Sequence, residues 1–89
     1  MRKVTIYTVS GCPYCARAKK ILDDQKVVYT EILTDFDSPL MAELTAKTSS
    51  DTLPQIFMDD VFLGGSDDLA EAVRSGRFSS LLRSSQPEL

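Results

Sequence analysis

The first third of the chain alternates strand, helix and strand, and this order restricts its topology more than any other feature. Residues 3–9 (KVTIYTV) alternate and are rich in β-branched side chains, and residues 27–33 (VVYTEIL) form a second strand-like run. Between them, Pro13 suits the first turn of a helix. Apolar side chains at helical spacing predict one face of that helix: Tyr14, Cys15, Ala18, Ile21 and Leu22. Such a β-α-β unit implies two parallel strands with a right-handed crossover.

The middle of the chain predicts a second helix followed by a β-hairpin. Ser38 is a candidate N-cap with a proline behind it. The apolar stripe of this helix comprises Leu40, Met41 and Leu44. Residues 55–58 (QIFM) and 61–63 (VFL) flank an acidic turn, which is typical of a hairpin.

The last third predicts two more helices. Ser66 is expected to cap the third helix and Gly76 to end it, with a short last helix over residues 78–82. The sequence therefore predicts an α/β fold in which a four-stranded mixed sheet is flanked by helices. We expect a single domain over residues 1–89, with residues 84–89 as a flexible tail.

Composition and charge exclude several functions. The 89 residues carry a net charge of −3, and the basic side chains are scattered apart from Arg17, Lys19 and Lys20 just after the cysteines. This argues against a nucleic-acid partner. No apolar run approaches the ~20 residues of a membrane-spanning helix, so no membrane association is expected. No secretory signal is recognisable, and the cytoplasm is the expected location. In that reducing compartment, closely spaced cysteines are more often catalytic or metal-binding than structural.

Cys12 and Cys15 are the only cysteines of the chain. A disulfide between them would close a very short loop and remove little chain entropy, so chemistry explains the pair better than stabilisation does. Cys12 lies at the predicted helix N-terminus, which favours an anion, whereas Cys15 lies one turn inside on the core-facing side. An exposed thiolate with a second thiol behind it is the arrangement that thiol–disulfide exchange requires.

Two other interpretations of the cysteine pair stay open at this point. A C-x-x-C motif can be half of a zinc site, but structural zinc needs four Cys or His ligands, and the chain has no histidine and no further cysteine. The pair could also be incidental. The combination of C-x-x-C with a β-α-β pattern favours redox chemistry over both.

Three stretches together resemble the glutaredoxin family. They are CPYC at residues 12–15, TLPQIF at residues 52–57 and GGSDDL at residues 64–69, and the resemblance extends over about residues 3–82. It implies a thioredoxin-like fold and a glutathione-dependent thiol–disulfide oxidoreductase that reduces protein disulfides and glutathione mixed disulfides. It further implies glutathione as the reductant, no metal, and a monomer acting on disulfide-containing or glutathionylated proteins, with ribonucleotide reductase as one candidate.

The resemblance also implies roles for particular residues. Cys12 corresponds to the nucleophile and Cys15 to the resolving thiol. Pro54 corresponds to a proline preceded by a cis bond, which would direct the backbone groups of Leu53 at a glutathione cysteinyl unit. Tyr14 would flank the sulfur site as an exposed ring.

The start of the third helix is the implied site for the other end of glutathione. The backbone N–H groups of Ser66 and Asp67 would hold the γ-glutamyl carboxylate. The Asp67 carboxylate would accept from the amino group, with Asp68 as the alternative partner. Both aspartates also suit the helix dipole without any ligand.

Two departures from the family pattern leave alternatives to this function. Val9 stands where many glutaredoxins have a lysine, and Met41 stands where many have Gln or Arg; both family residues contact the glycine carboxylate of glutathione. Lys47 is a candidate substitute for them. The departures slightly favour a related redoxin that is reduced by thioredoxin reductase. The CPYC and GGSDDL motifs argue against that alternative. A [2Fe–2S] carrier ligated by Cys12 and glutathione is the other alternative, and Pro13 opposes it.

Overall fold

The computed structural model describes residues 2–83, in which four strands and four helices follow one another in the predicted order. The elements are β1 (Val4–Thr8), α1 (Pro13–Asp24), β2 (Tyr29–Leu33), α2 (Pro39–Thr48), β3 (Gln55–Met58), β4 (Val61–Gly64), α3 (Ser66–Ser75) and α4 (Arg77–Arg83). The predicted tail at residues 84–89 lies outside the described residues.

The strands form one mixed sheet in the order β2-β1-β3-β4. Strands β1 and β2 are parallel, with Ile6 opposite Glu31, whereas β3 is antiparallel to both β1 and β4. The predicted four-stranded mixed sheet, with its β-α-β unit and its hairpin, is therefore confirmed. The C-terminal end of β1 lies in the middle of the sheet, and the chain leaves it directly toward α1.

Two apolar clusters cover the opposite faces of the sheet, because successive side chains of β3 point in opposite directions. Ile56 and Met58 belong to the larger cluster, which α1, α3 and α4 cover. Phe57 belongs to the smaller one, whose other buried members are Cys15, Met41, Leu44 and Leu53. Cys15 is thus part of the core on the α2 side.

The second strand starts later than the sequence pattern indicates. It begins at Tyr29 rather than at Val27, because the chain is still turning out of α1 at that point. Lys26 has a left-handed φ of 58°, and the Val27 N–H donates to the Leu22 carbonyl at 3.3 Å. Val28 is 93% exposed and contributes nothing to the core.

The predicted cap of α3 is wrong by one residue, whereas the cap of α2 is confirmed. Gly65 is the N-cap of α3 and Ser66 is its first helical residue. The Gly65 N–H donates to the Asp68 carboxylate at 3.1 Å, so an aspartate inside the helix supplies the capping interaction. In α2 the Ser38 hydroxyl accepts from the Met41 N–H at 3.0 Å, as expected.

Candidate functional site

Cys12 lies at the junction between β1 and α1. Gly11 precedes it with a positive φ of 71°, which turns the chain from the strand into the helix. Cys12 is the N-cap of α1, and its Sγ accepts from the Cys15 N–H at 3.2 Å. A backbone donor and the helix N-terminus both favour negative charge on this sulfur. The arrangement therefore suits a nucleophilic thiolate.

Cys15, in contrast to Cys12, is a buried thiol that ionises less readily than a free one. Its side chain is 2% exposed, and both cysteines are free thiols. Burial, followed by the hydrogen bond with Cys12, raises the pKa of the Cys15 thiol to about 11, although a hydrogen bond with the Val9 backbone lowers it. Cys15 therefore keeps its proton at neutral pH, while Cys12 faces the solvent-accessible side.

A cavity of about 950 Å³ lies in front of Cys12. It brings together six of the seven residues predicted to act in catalysis or glutathione binding, and of these only the buried Cys15 does not line it. These six are Cys12, Tyr14, Leu53, Pro54, Ser66 and Asp67. Three chain segments far apart in sequence thus meet around one sulfur atom, and the cavity lies within the size range of small-molecule sites.

The Leu53–Pro54 segment forms one wall of the cavity. The peptide bond between them is cis, as the resemblance implied. The Leu53 carbonyl oxygen lies 3.9 Å from the Cys12 Sγ, within reach of a weak S–H···O contact. The Leu53 backbone therefore borders the sulfur directly.

The first turn of α3 forms another part of the cavity wall, next to Pro54. Ser66 is buried, whereas the Asp67 side chain is 85% exposed. Arg17 of α1 approaches both: its Nη1 donates to the Asp67 Oδ1 at 2.6 Å and lies 3.4 Å from the Ser66 Oγ. The Asp68 carboxylate is engaged in the cap of α3, whereas the Asp67 carboxylate is paired with Arg17 and lines the cavity.

Two aromatic rings stand at the rim of the cavity. Tyr14 is 61% exposed, so its assignment to the core-facing stripe of α1 is wrong and its assignment as an exposed ring is right. The buried residues of α1 are Cys15, Ala18 and Leu22. Tyr14, one turn before Ala18 in the first turn of the helix, lines the cavity instead of the core. Phe36, 56% exposed, lines the same cavity. Sequence reasoning missed it, since it lies in a polar segment that predicts only a turn.

The three positions discussed for the glycine carboxylate of glutathione do not lie together; they are Val9, Met41 and Lys47. Val9 lines the cavity. Met41 is 3% exposed and packs in the core cluster that contains Cys15, so it is not available to a ligand. Lys47 places its Nζ 5.3 Å from the centre of the Phe57 ring and lines a separate cavity with Tyr7. The expectation that Lys47 could replace the missing cation is therefore wrong.

Residues 2–83 contain neither a cluster of metal ligands nor a membrane-spanning helix. No group of three or more His, Cys, Asp or Glu side chains in this part of the chain is arranged to hold a metal ion. Within the same residues, no helix combines the length and the apolar character needed to cross a bilayer.

The chain is similar to glutaredoxins in sequence and in structure. The glutaredoxin family model matches residues 4–63. A glutaredoxin of Pseudomonas aeruginosa is 44% identical over 82 residues, which cover 92% of this chain and 98% of that protein. The solution structure of glutaredoxin from Brucella melitensis superposes with a TM-score of 0.83 at 40% identity, over 99% of this chain and 96% of that one. These similarities confirm the predicted thioredoxin-like fold.

A solved structure with a ligand also resembles this chain. The crystal structure of a buckwheat glutaredoxin–glutathione complex has a TM-score of 0.80 at 27% identity, and the match covers 91% of this chain and 76% of that one.

Proposed function

The chain belongs to the glutaredoxin family, and we propose that it is a glutathione-dependent oxidoreductase that reduces protein disulfides and glutathione mixed disulfides through Cys12 and Cys15. One observation carries the proposal. The Cys12 Sγ sits at the start of α1, 3.2 Å from a backbone N–H donor, and faces the large cavity. Cys15 lies behind it with its proton retained.

The reaction proceeds through two exchanges of sulfur. The Cys12 thiolate attacks one sulfur of a substrate disulfide, which releases the other sulfur as a thiolate and leaves a mixed disulfide on Cys12. Cys15 then loses its proton and attacks the Cys12 sulfur. The Cys12–Cys15 disulfide forms, and the bound thiol leaves. Two molecules of glutathione return the pair to the dithiol state and become glutathione disulfide.

The walls of the cavity suit the two ends of glutathione. The backbone of Leu53, beside the Cys12 sulfur, can pair with the cysteinyl unit of glutathione as a short added strand. The first N–H groups of α3, at Ser66 and Asp67, favour a carboxylate, and the exposed Asp67 carboxylate favours the amino group. Tyr14 lines the same cavity as Cys12. The buckwheat relative was solved as a complex with glutathione, which supports glutathione as the ligand of this cavity.

The substrates and setting follow from this chemistry. Glutathionylated proteins require only Cys12 and free glutathione, whereas protein disulfides require both cysteines. We include ribonucleotide reductase among the candidate protein substrates. We further propose that the protein acts as a monomer in the cytoplasm, where glutathione is kept reduced.

The assignment is tested by separating the two reactions. Cys12→Ser should abolish both. Cys15→Ser should retain deglutathionylation, because a second glutathione resolves the intermediate, but it should lose the dithiol reduction of protein disulfides. A Cys15→Ser variant that is inert toward glutathionylated substrates would show the assignment to be wrong.

The reductant is tested with the wild-type protein. Turnover with glutathione and glutathione reductase should greatly exceed turnover with thioredoxin reductase. The reverse result would identify the protein as a redoxin served by thioredoxin reductase and would reject glutathione dependence.

A further inference from the structure

A second cavity, of about 480 Å³, lies on the other side of the cysteine pair. Its lining includes Cys12 and Cys15 together with Lys19 and Glu31. The mechanism described above assigns no role to these two charged side chains. They are the only charged residues that line this cavity within the described part of the chain.

The ammonium group of Lys19 is held in place by a short hydrogen-bonded chain. Its Nζ lies 3.0 Å from the Glu31 Oε2, and the same oxygen accepts from the Thr8 hydroxyl at 2.7 Å. Thr8 is fully buried at the end of β1, so the chain is anchored to the middle of the sheet. Lys19 follows Cys15 by four residues in α1, and this spacing puts both side chains on one face of the helix, one turn apart.

The charged side chains that share the second cavity with Cys15 are Lys19 and Glu31. The hydrogen bond to Glu31 raises the pKa of Lys19, and the hydrogen bonds from Thr8 and then from Lys19 lower the pKa of Glu31, so both are ionised at neutral pH. Burial raises the pKa of Tyr29, which stays neutral. The core side chains packed near Cys15 from α2, β3 and the segment before β3 are uncharged, and they are Met41, Leu44, Leu53 and Phe57.

We propose that Lys19, oriented by Glu31 and Thr8, is a positioning residue for the resolving step, in which its ammonium group stabilises the thiolate of Cys15. The inference rests on the proposed thiol–disulfide exchange. The Cys15 thiol releases its proton to water through the second cavity, and the thiolate attacks the Cys12 sulfur. The bond between Cys12 and the substrate sulfur breaks, and the substrate leaves as a thiolate that takes up a proton from solvent. Lys19 itself transfers no proton.

The attraction between Lys19 and Cys15 is also part of the electrostatic balance at the buried thiol. Lys19 lowers the pKa of Cys15 against the larger opposing effect of burial. Cys12 carries no charge once it is in a mixed disulfide, and it then no longer opposes ionisation of Cys15. Lys19 is therefore the one cation lining this cavity, among residues 2–83, at the stage when Cys15 must ionise.

The decisive experiment compares Lys19→Met with Lys20→Met. Lys20 carries the same charge but faces outward and pairs with Asp24, so its replacement controls for net charge. Lys19→Met should slow dithiol reduction of a protein disulfide about twofold to fivefold at pH 7 and displace its pH profile to higher pH. Lys19→Arg should restore both, and Lys20→Met should change neither. An unchanged rate and pH profile in Lys19→Met would overturn the proposal.

Two further measurements separate this proposal from the proposed function. In a Cys15→Ser background, Lys19→Met should leave deglutathionylation unchanged; an equal loss there would show that Lys19 acts on Cys12 and would overturn the proposal. In a Cys12→Ser background, the pKa of Cys15 is read from the pH dependence of iodoacetamide alkylation, which requires no enzymatic activity. That pKa should rise in Lys19→Met and not in Lys20→Met. Inactivity of the wild-type protein in both reductase assays would reject the proposed function, whereas the alkylation result would still decide whether Lys19 acts on Cys15.

Discussion

Arg17 and Asp67 form an ion pair across the edge of the large cavity, with 2.6 Å between Nη1 and Oδ1. The pair joins α1 to the first turn of α3, and the two residues are 50 positions apart in sequence. Both side chains are substantially exposed, at 47% and 85%, so the pair contributes little to folding. In the proposed complex, Arg17 and the amino group of glutathione would compete for the same Asp67 carboxylate.

Replacing Asp67 tests whether its carboxylate contributes to glutathione binding. Asp67→Asn removes the charge that attracts the amino group while leaving the backbone N–H groups of α3 in place. KM for glutathione should rise about 1.5- to 5-fold with kcat little changed. This pattern is expected when the ground state and the transition state lose the same binding interaction. The effect should shrink as salt is added. Asp60→Asn, an exposed carboxylate in the turn between β3 and β4, is the matched control. A KM equal in both variants would contradict the role of Asp67.

Val9 offers a gain-of-binding test in the same cavity. Val9→Lys introduces a cation at a position that lines the cavity, where it can attract the glycine carboxylate of glutathione. KM for glutathione should fall about 1.5- to 5-fold at low ionic strength, and salt should erase part of the gain. Val9→Met adds length without charge and should not lower KM. An unchanged KM in Val9→Lys at low salt would show that this carboxylate does not lie near position 9.

The sequence predicted the parts of the site that depend on local chain geometry. Pro13 behind Cys12 sets the start of α1, and helical spacing then places Cys15 inside, so the division between an exposed and a buried thiol needs no tertiary information. Phe36 and the contact of Arg17 with Asp67 were missed for the opposite reason. Their approach to the cavity depends on how α1 meets α3 and on where the segment after β2 folds back, and no local pattern encodes either arrangement.

The errors have a similar physical origin. Met41 matches the family position by counting, yet packing of α2 on the sheet buries it beneath Cys15, and an arginine there would carry a charge into the core. Lys47 lies at the end of α2 as expected, but its side chain extends over Phe57 rather than toward Cys12. Position along the chain was right in both cases, and the direction of the side chain was not predictable from it.

Gly64 connects β4 to the capped start of α3, and its replacement should disturb both. It has a φ of 109°, and a Cβ built on it would lie 2.3 Å from the Asp68 Oδ2, the atom that caps Gly65. Gly64→Ala should therefore lower the free energy of unfolding by about 1–3 kcal/mol, measured by urea denaturation, and raise KM for glutathione. Gly76→Ala is the control, because its φ of 84° is also positive but no atom lies within 4 Å of the added Cβ. Equal losses in the two variants would mean that strain at positive φ, and not the contact with Asp68, is responsible.

The buried thiol of Cys15 should make the reduced protein sensitive to alkaline pH. Its pKa is raised from 9.0 to about 11, so the unfolded chain releases this proton near pH 9 while the folded protein retains it. The unfolded state then binds fewer protons, and the free energy of unfolding falls as pH rises. The stabilisation is complete below pH 9 and is lost by about pH 11, with a total of about 1–3 kcal/mol.

Urea unfolding of reduced protein between pH 8 and pH 11 measures this loss. Burial also raises the pKa of Tyr29, so the informative quantity is the difference between the wild type and Cys15→Ser, which share that tyrosine. The wild type should lose about 1–3 kcal/mol more than the variant across this range. Parallel curves for reduced wild type and Cys15→Ser would show that the Cys15 proton is held no more firmly in the folded protein than in the unfolded chain. The resolving step would then need no assistance from Lys19.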